Sequence, residues 1–262
     1  MYAFDYHRPG KLADVEQALK SAPGAKLLAG GQTLIPAMKL RLADPGNLVD
    51  LGGVTGLKGV SMVDGVVRIG AMTTHAEVAT STDVQKAIPG LAALAGGIGD
   101  PHVRHRGTIG GSVANNDPAA DYPAAVLALG ATVHTTRRAI PADAYFDGLF
   151  TTVLADDEVI THIDFPVAQN FKYVKFANPA SRYPLVGVAV ARTSGGVRVA
   201  VTGAGQSGVF RHAAAEKALD ANFSAAGLGG VSIDASDLMS DVHAAADYRA
   251  HLIAVMLKRA VG

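Results

Sequence analysis

Apolar residues recur along the chain in two rhythms. Within residues 11–20, Leu12, Val15 and Leu19 fall at spacings of three and four, which predicts an amphipathic helix. Residues 25–29 read as a short strand running into Gly30-Gly31-Gln32-Thr33. The apolar segment 34–42 then predicts a helix, closed by Asp44-Pro45-Gly46-Asn47. Residues 48–51 form a second strand. Strand, glycine turn, helix and strand in that order indicate α/β structure. Further along, 66–69 predicts a strand and 74–80 a helix start, with 91–95 continuing the helical pattern. Residues 124–129 predict an apolar helix, and 132–136 and 159–165 predict strands, the latter ended by Pro166.

The tail changes character. Three strands are expected at 173–176, 185–191 and 197–201, with Ser194-Gly195-Gly196 as the turn between the last two. A helix is expected at 212–219. In the last stretch Tyr248, Leu252, Val255, Met256 and Arg259 recur at helical spacing. The reading is an α/β domain over 1–167 and an α+β domain over 168–262 built on a three-stranded antiparallel sheet with helices. The glycine-rich stretch 52–59 divides the first into subdomains 1–55 and 56–167.

Composition narrows the function. A length of 262 residues suits one large or two ordinary domains at roughly 150 residues each. Hydrophobic residues at 49% and charged residues at 18% describe a globular chain. The longest nearly uninterrupted apolar stretch, 123–133, is far short of the ~18 to 20 residues of a spanning helix. The first ten residues lack the apolar centre of a signal peptide, so a cytoplasmic location is the default expectation. Lys plus Arg and Asp plus Glu are both 23, which gives no broad basic field for nucleic acid. The chain has no cysteine, so disulfides, thiolate-ligated metals and a cysteine nucleophile are excluded.

Two glycine loops stand out. Ala29-Gly30-Gly31-Gln32-Thr33 joins a strand to a helix start. There, successive glycines allow close backbone approach to a ligand, and free N–H groups can meet an anion. Gly107-Thr108-Ile109-Gly110-Gly111-Ser112 repeats that chemistry. Neither has the Gly-Lys-Ser/Thr ending of a phosphate loop. Gly203-Ala204-Gly205-Gln206-Ser207-Gly208 has dinucleotide-fingerprint spacing, but no parallel strand ending in an acid follows it, so it reads as an ordinary turn.

The segment from Gly99 to Asp121, and the segment Ala29-Gly-Gly-Gln-Thr-Leu-Ile-Pro-Ala-Met-Lys-Leu-Arg41, closely resemble the two flavin loops of a known family. It comprises the FAD-binding (medium) subunits of molybdenum hydroxylases, the carbon monoxide dehydrogenase and xanthine dehydrogenase group. Residues 203–219 and 241–261 resemble it too. The resemblance implies a vanillyl-alcohol-oxidase-type (PCMH) FAD-binding domain of two subdomains, followed by the C-terminal domain. It implies FAD contacts at Ala29, Gly30, Gly31, Gln32, Thr33 and Leu34, and at Thr108, Ile109, Gly110, Gly111 and Ser112. Ser112 stands where the family usually has Asn. Asp121 matches a FAD-contacting acid, which by itself reads as a helix N-cap before Tyr122-Pro123. Ile98, Ile160 and Lys175 match further flavin positions, otherwise read as core aliphatics and a strand-edge lysine. Tyr183 is a candidate for stacking on the flavin ring or for packing at a domain joint.

Around the second loop, His102, Arg104, His105 and Arg106 concentrate potential cations, read as a solvated loop, a counter-charge for diphosphate or a partner-protein edge. The two histidines lack a third metal ligand. His75 reads as a helix-start histidine. The function implied by resemblance is an electron-transfer flavoprotein with no catalytic acid or base and no metal on this chain. Its expected partners are a small subunit with [2Fe–2S] clusters and a large molybdopterin subunit, as a heterotrimer that often dimerises. A stand-alone FAD oxidoreductase and a non-redox nucleotide-binding scaffold are the alternatives.

Overall fold

The computed structural model describes residues 1–262. Its first sheet is parallel, built from β1 (Asp5–His7), β2 (Lys26–Leu28) and β3 (Asn47–Asp50) in the order β1-β3-β2. Helix α1 (Leu12–Ser21) connects β1 to β2 and buries Val15 and Leu19. Helix α2 (Leu34–Lys39) connects β2 to β3. It ends three residues before the expected Leu42, because Arg41 turns to a φ of 60° and Leu42 is left 79% exposed.

The second sheet is antiparallel, in the order β4-β5-β8-β6-β7. Its first two strands, β4 (Val60–Val63) and β5 (Val66–Gly70), form a hairpin closed by Asp64 and Gly65, both at positive φ. Strand β4 is absent from the sequence reading, although Asp-Gly between two valine runs is a hairpin signal. The stretch read as a helical pattern after residue 74 divides into α3 (His75–Thr80), α4 (Thr82–Ala87) and α5 (Pro89–Gly96). Ser81 caps α4, and Pro89 opens α5. Two short helices follow, α6 (Pro101–Arg104) and α7 (Ile109–Asn115), and then α8 (Tyr122–Leu129). Strands β6 (Thr132–Thr135), β7 (Ala139–Pro141) and β8 (Ile160–Pro166) complete the sheet.

The third sheet has four strands, not the expected three. It is antiparallel in the order β12-β11-β10-β9, from β9 (Asn170–Ala177), β10 (Pro184–Thr193), β11 (Gly196–Thr202) and β12 (Phe210–Arg211). The added strand is two residues long and too short to carry an alternating pattern. Helices α9 (Ala213–Ala221) and α10 (Ala246–Val261) follow. No helix is long and apolar enough to cross a membrane.

Side-chain alternation in β10 and β11 gives this sheet two unlike faces. Val186, Val188, Val190, Val197, Val199 and Val201 pack on α9, α10 and their loops. Ala189, Ala191 and Ala200 face the other way, into the core that holds α8 and the second sheet. Every residue of α8 is buried, and small residues on the sheet let the helix come close. Ala189→Leu should therefore overpack this face and lower stability by about 1–3 kcal/mol, whereas Val188→Ile, which adds one methylene on the valine face, should cost less than Ala189→Leu. Urea denaturation of the two variants measures the contrast.

Candidate functional site

The two glycine loops meet. Strand β2 delivers residues 29–33 to α2, and the turn needs Gly31, which has a φ of +71°. A Cβ on Gly30 would collide with the carbonyl oxygen of Arg106, so the first loop lies directly on the start of the second. The second loop rests on the end of β5. Gly110 donates its N–H to the Ala71 carbonyl at 2.9 Å, and a Cβ there would sit 2.6 Å from the Ala71 Cβ. A Cβ on Gly107 would lie 2.5 Å from Nε2 of His75. Both loops thus require glycine for backbone packing before any ligand is considered.

Their hydrogen-bonding states differ. In the second loop Ile109 donates to Thr73, Gly110 to Ala71, and Gly111 and Ser112 to the Oγ1 and carbonyl of Thr108. Only the Thr108 N–H is left over. In the first loop the N–H groups of residues 30–34 meet no acceptor in the chain, and Thr33 makes no side-chain cap. Five consecutive uncommitted donors at a strand-to-helix turn are available to an anion. The sequence treats the loops as equals; the fold gives the free donors to the first and the supporting role to the second.

Asp121 sits at the start of α8 but makes no capping bond. Its Oδ1 accepts from Lys175 Nζ at 2.9 Å and from the Tyr173 hydroxyl at 2.8 Å, both reaching from β9. Lys175 also donates to the Gly97 carbonyl at 2.9 Å. The lysine is thus no strand-edge ornament: its side chain is only 13% exposed and that of Asp121 4%. Burial pushes the Asp121 carboxyl up while Lys175 pulls it back. Burial, then the Asp121 charge, holds the Tyr173 phenol well above its ordinary range. Gly187 on β10 makes room, since a Cβ there would strike the Tyr173 hydroxyl. Tyr173 is a functional candidate missing from the sequence reading, although it lies two residues before Lys175 on one strand and so shares its face.

Beneath the second loop His75 opens α3, with Thr74 and Glu77 forming a capping box. Burial, aided by the Arg104 charge, pushes its imidazole down to about 4. Its Nδ1 and the Tyr122 hydroxyl behind it are buried without partners. Ile98 packs at the core edge, and its carbonyl accepts from Arg104 at 3.0 Å. Ile160 is 5% exposed in β8, inside the core. Tyr183 lies on the β9–β10 hairpin and lines a cleft of about 260 Å³ together with Asp117, Asp241 and Arg249. Of the basic segment, Arg104 turns inward, while His102, His105 and Arg106 rim an open depression next to the loop contact. In the 203–208 turn, Gly203 donates to Pro118 and accepts from Arg249, and Gly205 bridges to Leu238; its backbone is spent within the fold.

Paired glycine loops in backbone contact, with free N–H donors on an α/β frame, suit the class of nucleotide-cofactor-binding proteins. Residues 2–168 match the FAD-binding domain of molybdopterin dehydrogenases, and the chain belongs to that family. It is 36% identical over 276 residues to the nicotine 6-hydroxylase medium subunit of Paenarthrobacter nicotinovorans, covering 99% of this chain and 96% of the relative. Carbon monoxide dehydrogenase from Hydrogenophaga pseudoflava contains a chain that superposes with a TM-score of 0.92 at 35% identity, covering 99% of this chain and 96% of that one. Reconstituted CO dehydrogenase from Oligotropha carboxidovorans gives 0.93 at 33% identity, over 99% and 96%.

Two outcomes test this geometry. Lys175→Met leaves Asp121 buried without a counter-charge and should cost about 3–5 kcal/mol in urea denaturation, most of it recovered by adding Asp121→Asn. Because the folded pKa of His75 is depressed, the unfolded chain binds more protons between about pH 6.5 and 4. Stability present above that window is therefore lost as pH falls through it, by on the order of 3 kcal/mol. Melting temperature against pH should show the fall, and His75→Gln should flatten it.

Proposed function

We propose that this chain is the flavin subunit of a molybdenum hydroxylase, taking electrons from the [2Fe–2S] clusters of a small partner subunit and passing them through FAD to an external acceptor. A large molybdopterin subunit completes a heterotrimer that pairs as a dimer. In this reading residues 1–167 form a vanillyl-alcohol-oxidase-type (PCMH) FAD domain with subdomains 1–55 and 56–167, and 168–262 form the C-terminal domain. The observation that carries it is the run of uncommitted N–H donors at residues 30–34, lying against the second loop. Relatives named as medium subunits and medium chains support the assembly.

FAD supplies one- and two-electron redox chemistry when bound, and the protein binds and orients it. The donors of residues 30–34 would hold the diphosphate by charge-assisted bonds, a local solution in a chain of zero net charge. Gln32 and Thr33 add side-chain donors, and Thr108 one more backbone N–H. Ala29 and the second-loop residues Ile109, Gly110, Gly111 and Ser112 would line the site where the two loops meet. Asp121 and Lys175, held by Tyr173, would set a fixed charge pair beside the cofactor. Ile98 and Ile160 would give apolar contacts, and Tyr183 would cover the ring from the hairpin. No side chain here needs to act as a catalytic acid or base.

Expressed alone and supplied with FAD, the chain should show an oxidised flavin spectrum, with FAD as the released chromophore. Gly30→Ala should weaken FAD at least about tenfold by prising the loops apart, about 1.4 kcal/mol, while Gly10→Ala, with open space around it, should not. Colourless protein that refuses FAD would leave the scaffold alternative standing. Turnover of a small substrate by the isolated chain would favour the stand-alone oxidoreductase.

A further inference from the structure

On the face of the five-stranded sheet turned away from α8, three strands bring together residues far apart in sequence. Register pairs His134 of β6 with His162 of β8, and Arg68 of β5 with Asp164 of β8. The two imidazoles stack with centroids 4.3 Å apart and planes 11° from parallel. Nε2 of His134 lies 3.2 Å from Oδ2 of Asp164, and Nε2 of His162 lies 4.0 Å from Oδ1. One ligand atom from each of the three residues falls within 4.8 Å of the others. The side chains are partly buried, at 27%, 24% and 13% exposure for His134, His162 and Asp164.

Proton positions follow from Thr161. Its Oγ1 lies 3.2 Å from the His134 carbonyl, which can only accept, and 3.0 Å from Nδ1 of His162. The hydroxyl proton goes to the carbonyl, so Oγ1 accepts Nδ1–H of His162. That tautomer leaves Nε2 with a bare lone pair, and this atom is buried and has no hydrogen-bond partner. Its nearest charged neighbour is Oδ1 of Asp164 at 4.0 Å, and a turn of the stacked rings would let a cation bridge the nitrogens and the carboxylate.

We propose that His134, His162 and Asp164 form a binding site for one borderline divalent metal ion of the zinc or cobalt class. Arg68 grips Asp164 with two bonds of 2.8 Å, which orients it while placing only one donor on each oxygen. It also cancels the carboxylate's charge. Hard ions such as Mg²⁺ and Ca²⁺, which need several anionic oxygens, are thereby refused, and two imidazole nitrogens select a softer ion. Thr161 is a positioning residue, fixing the His162 tautomer as ligand-supporting groups do. The ion would tie β6 to β8 at their bulge, one residue from the Thr161 carbonyl that anchors Ala71, the seat of Gly110.

The test uses the full chain, stripped with chelator and titrated with Zn²⁺ against a chromophoric competitor, with Co²⁺ absorption as a second readout. One ion per chain is expected, with a rise in melting temperature on Zn²⁺ addition. His134→Gln with His162→Gln should abolish binding, and Thr161→Val should weaken it roughly 10–100-fold with all three ligands retained. His102→Gln with His105→Gln should leave it unchanged. Absence of stoichiometric binding overturns the proposal. So does binding that survives the 134/162 double variant or is lost in the 102/105 one. FAD content read in the same samples separates this outcome from failure of the flavin reading.

Discussion

The packing of α8 against the third sheet depends on one buried charge, that of Asp121. Helix α8 is apolar on every side and lies between two sheets, and the residue that begins it is an aspartate. A carboxylate in that position is costly unless a cation and a donor come to it. Lys175 and Tyr173 do so from β9, which locks the third sheet onto the helix in one register. Two small-residue features follow from that lock. Gly187 clears the path of the Tyr173 hydroxyl, and Ala189, Ala191 and Ala200 let the helix settle on the sheet. Lys175 reaches on to Gly97, so the same contact also pins the end of α5 ahead of the second glycine loop.

From there the loops are stacked by backbone contact. Ala71 at the end of β5 seats Gly110, His75 lies under Gly107, and the Arg106–Gly107 peptide meets Gly30. Each contact excludes a side chain. The consequence is a division of roles: the second loop consumes its donors in holding position, and the first keeps its donors free. In the proposed flavin reading, the cofactor's phosphates would meet dipoles set in place before binding, with little reorganisation left to be done.

Much of this was legible in the order of residues. The 3.6-residue rhythm of Leu12, Val15 and Leu19 and the alternation in 197–201 reflect faces that one element must bury, and such patterns are local. The glycine loops and Asp121 were legible as a family resemblance. Strand β12 was not, because two residues carry no period. Asp121 does stand at the N-cap position of α8, but its carboxylate is engaged by a lysine 54 residues away and makes no capping bond, which local chemistry could not reveal. The same holds for His134 and His162. Each reads alone as an ordinary strand histidine, and only cross-strand register stacks them over Asp164.

By itself, then, the sequence determined the longer helices and strands, where the glycine loops lie, and that no cysteine of this chain ligates a cluster. Those properties depend on neighbours within a few residues or on composition. Tertiary structure decided which of the two loops offers free N–H groups, what neutralises Asp121, and which histidines share a carboxylate. Each of these depends on groups tens of residues apart meeting at hydrogen-bond distance, and only the pairing of strands and the burial of α8 set that distance.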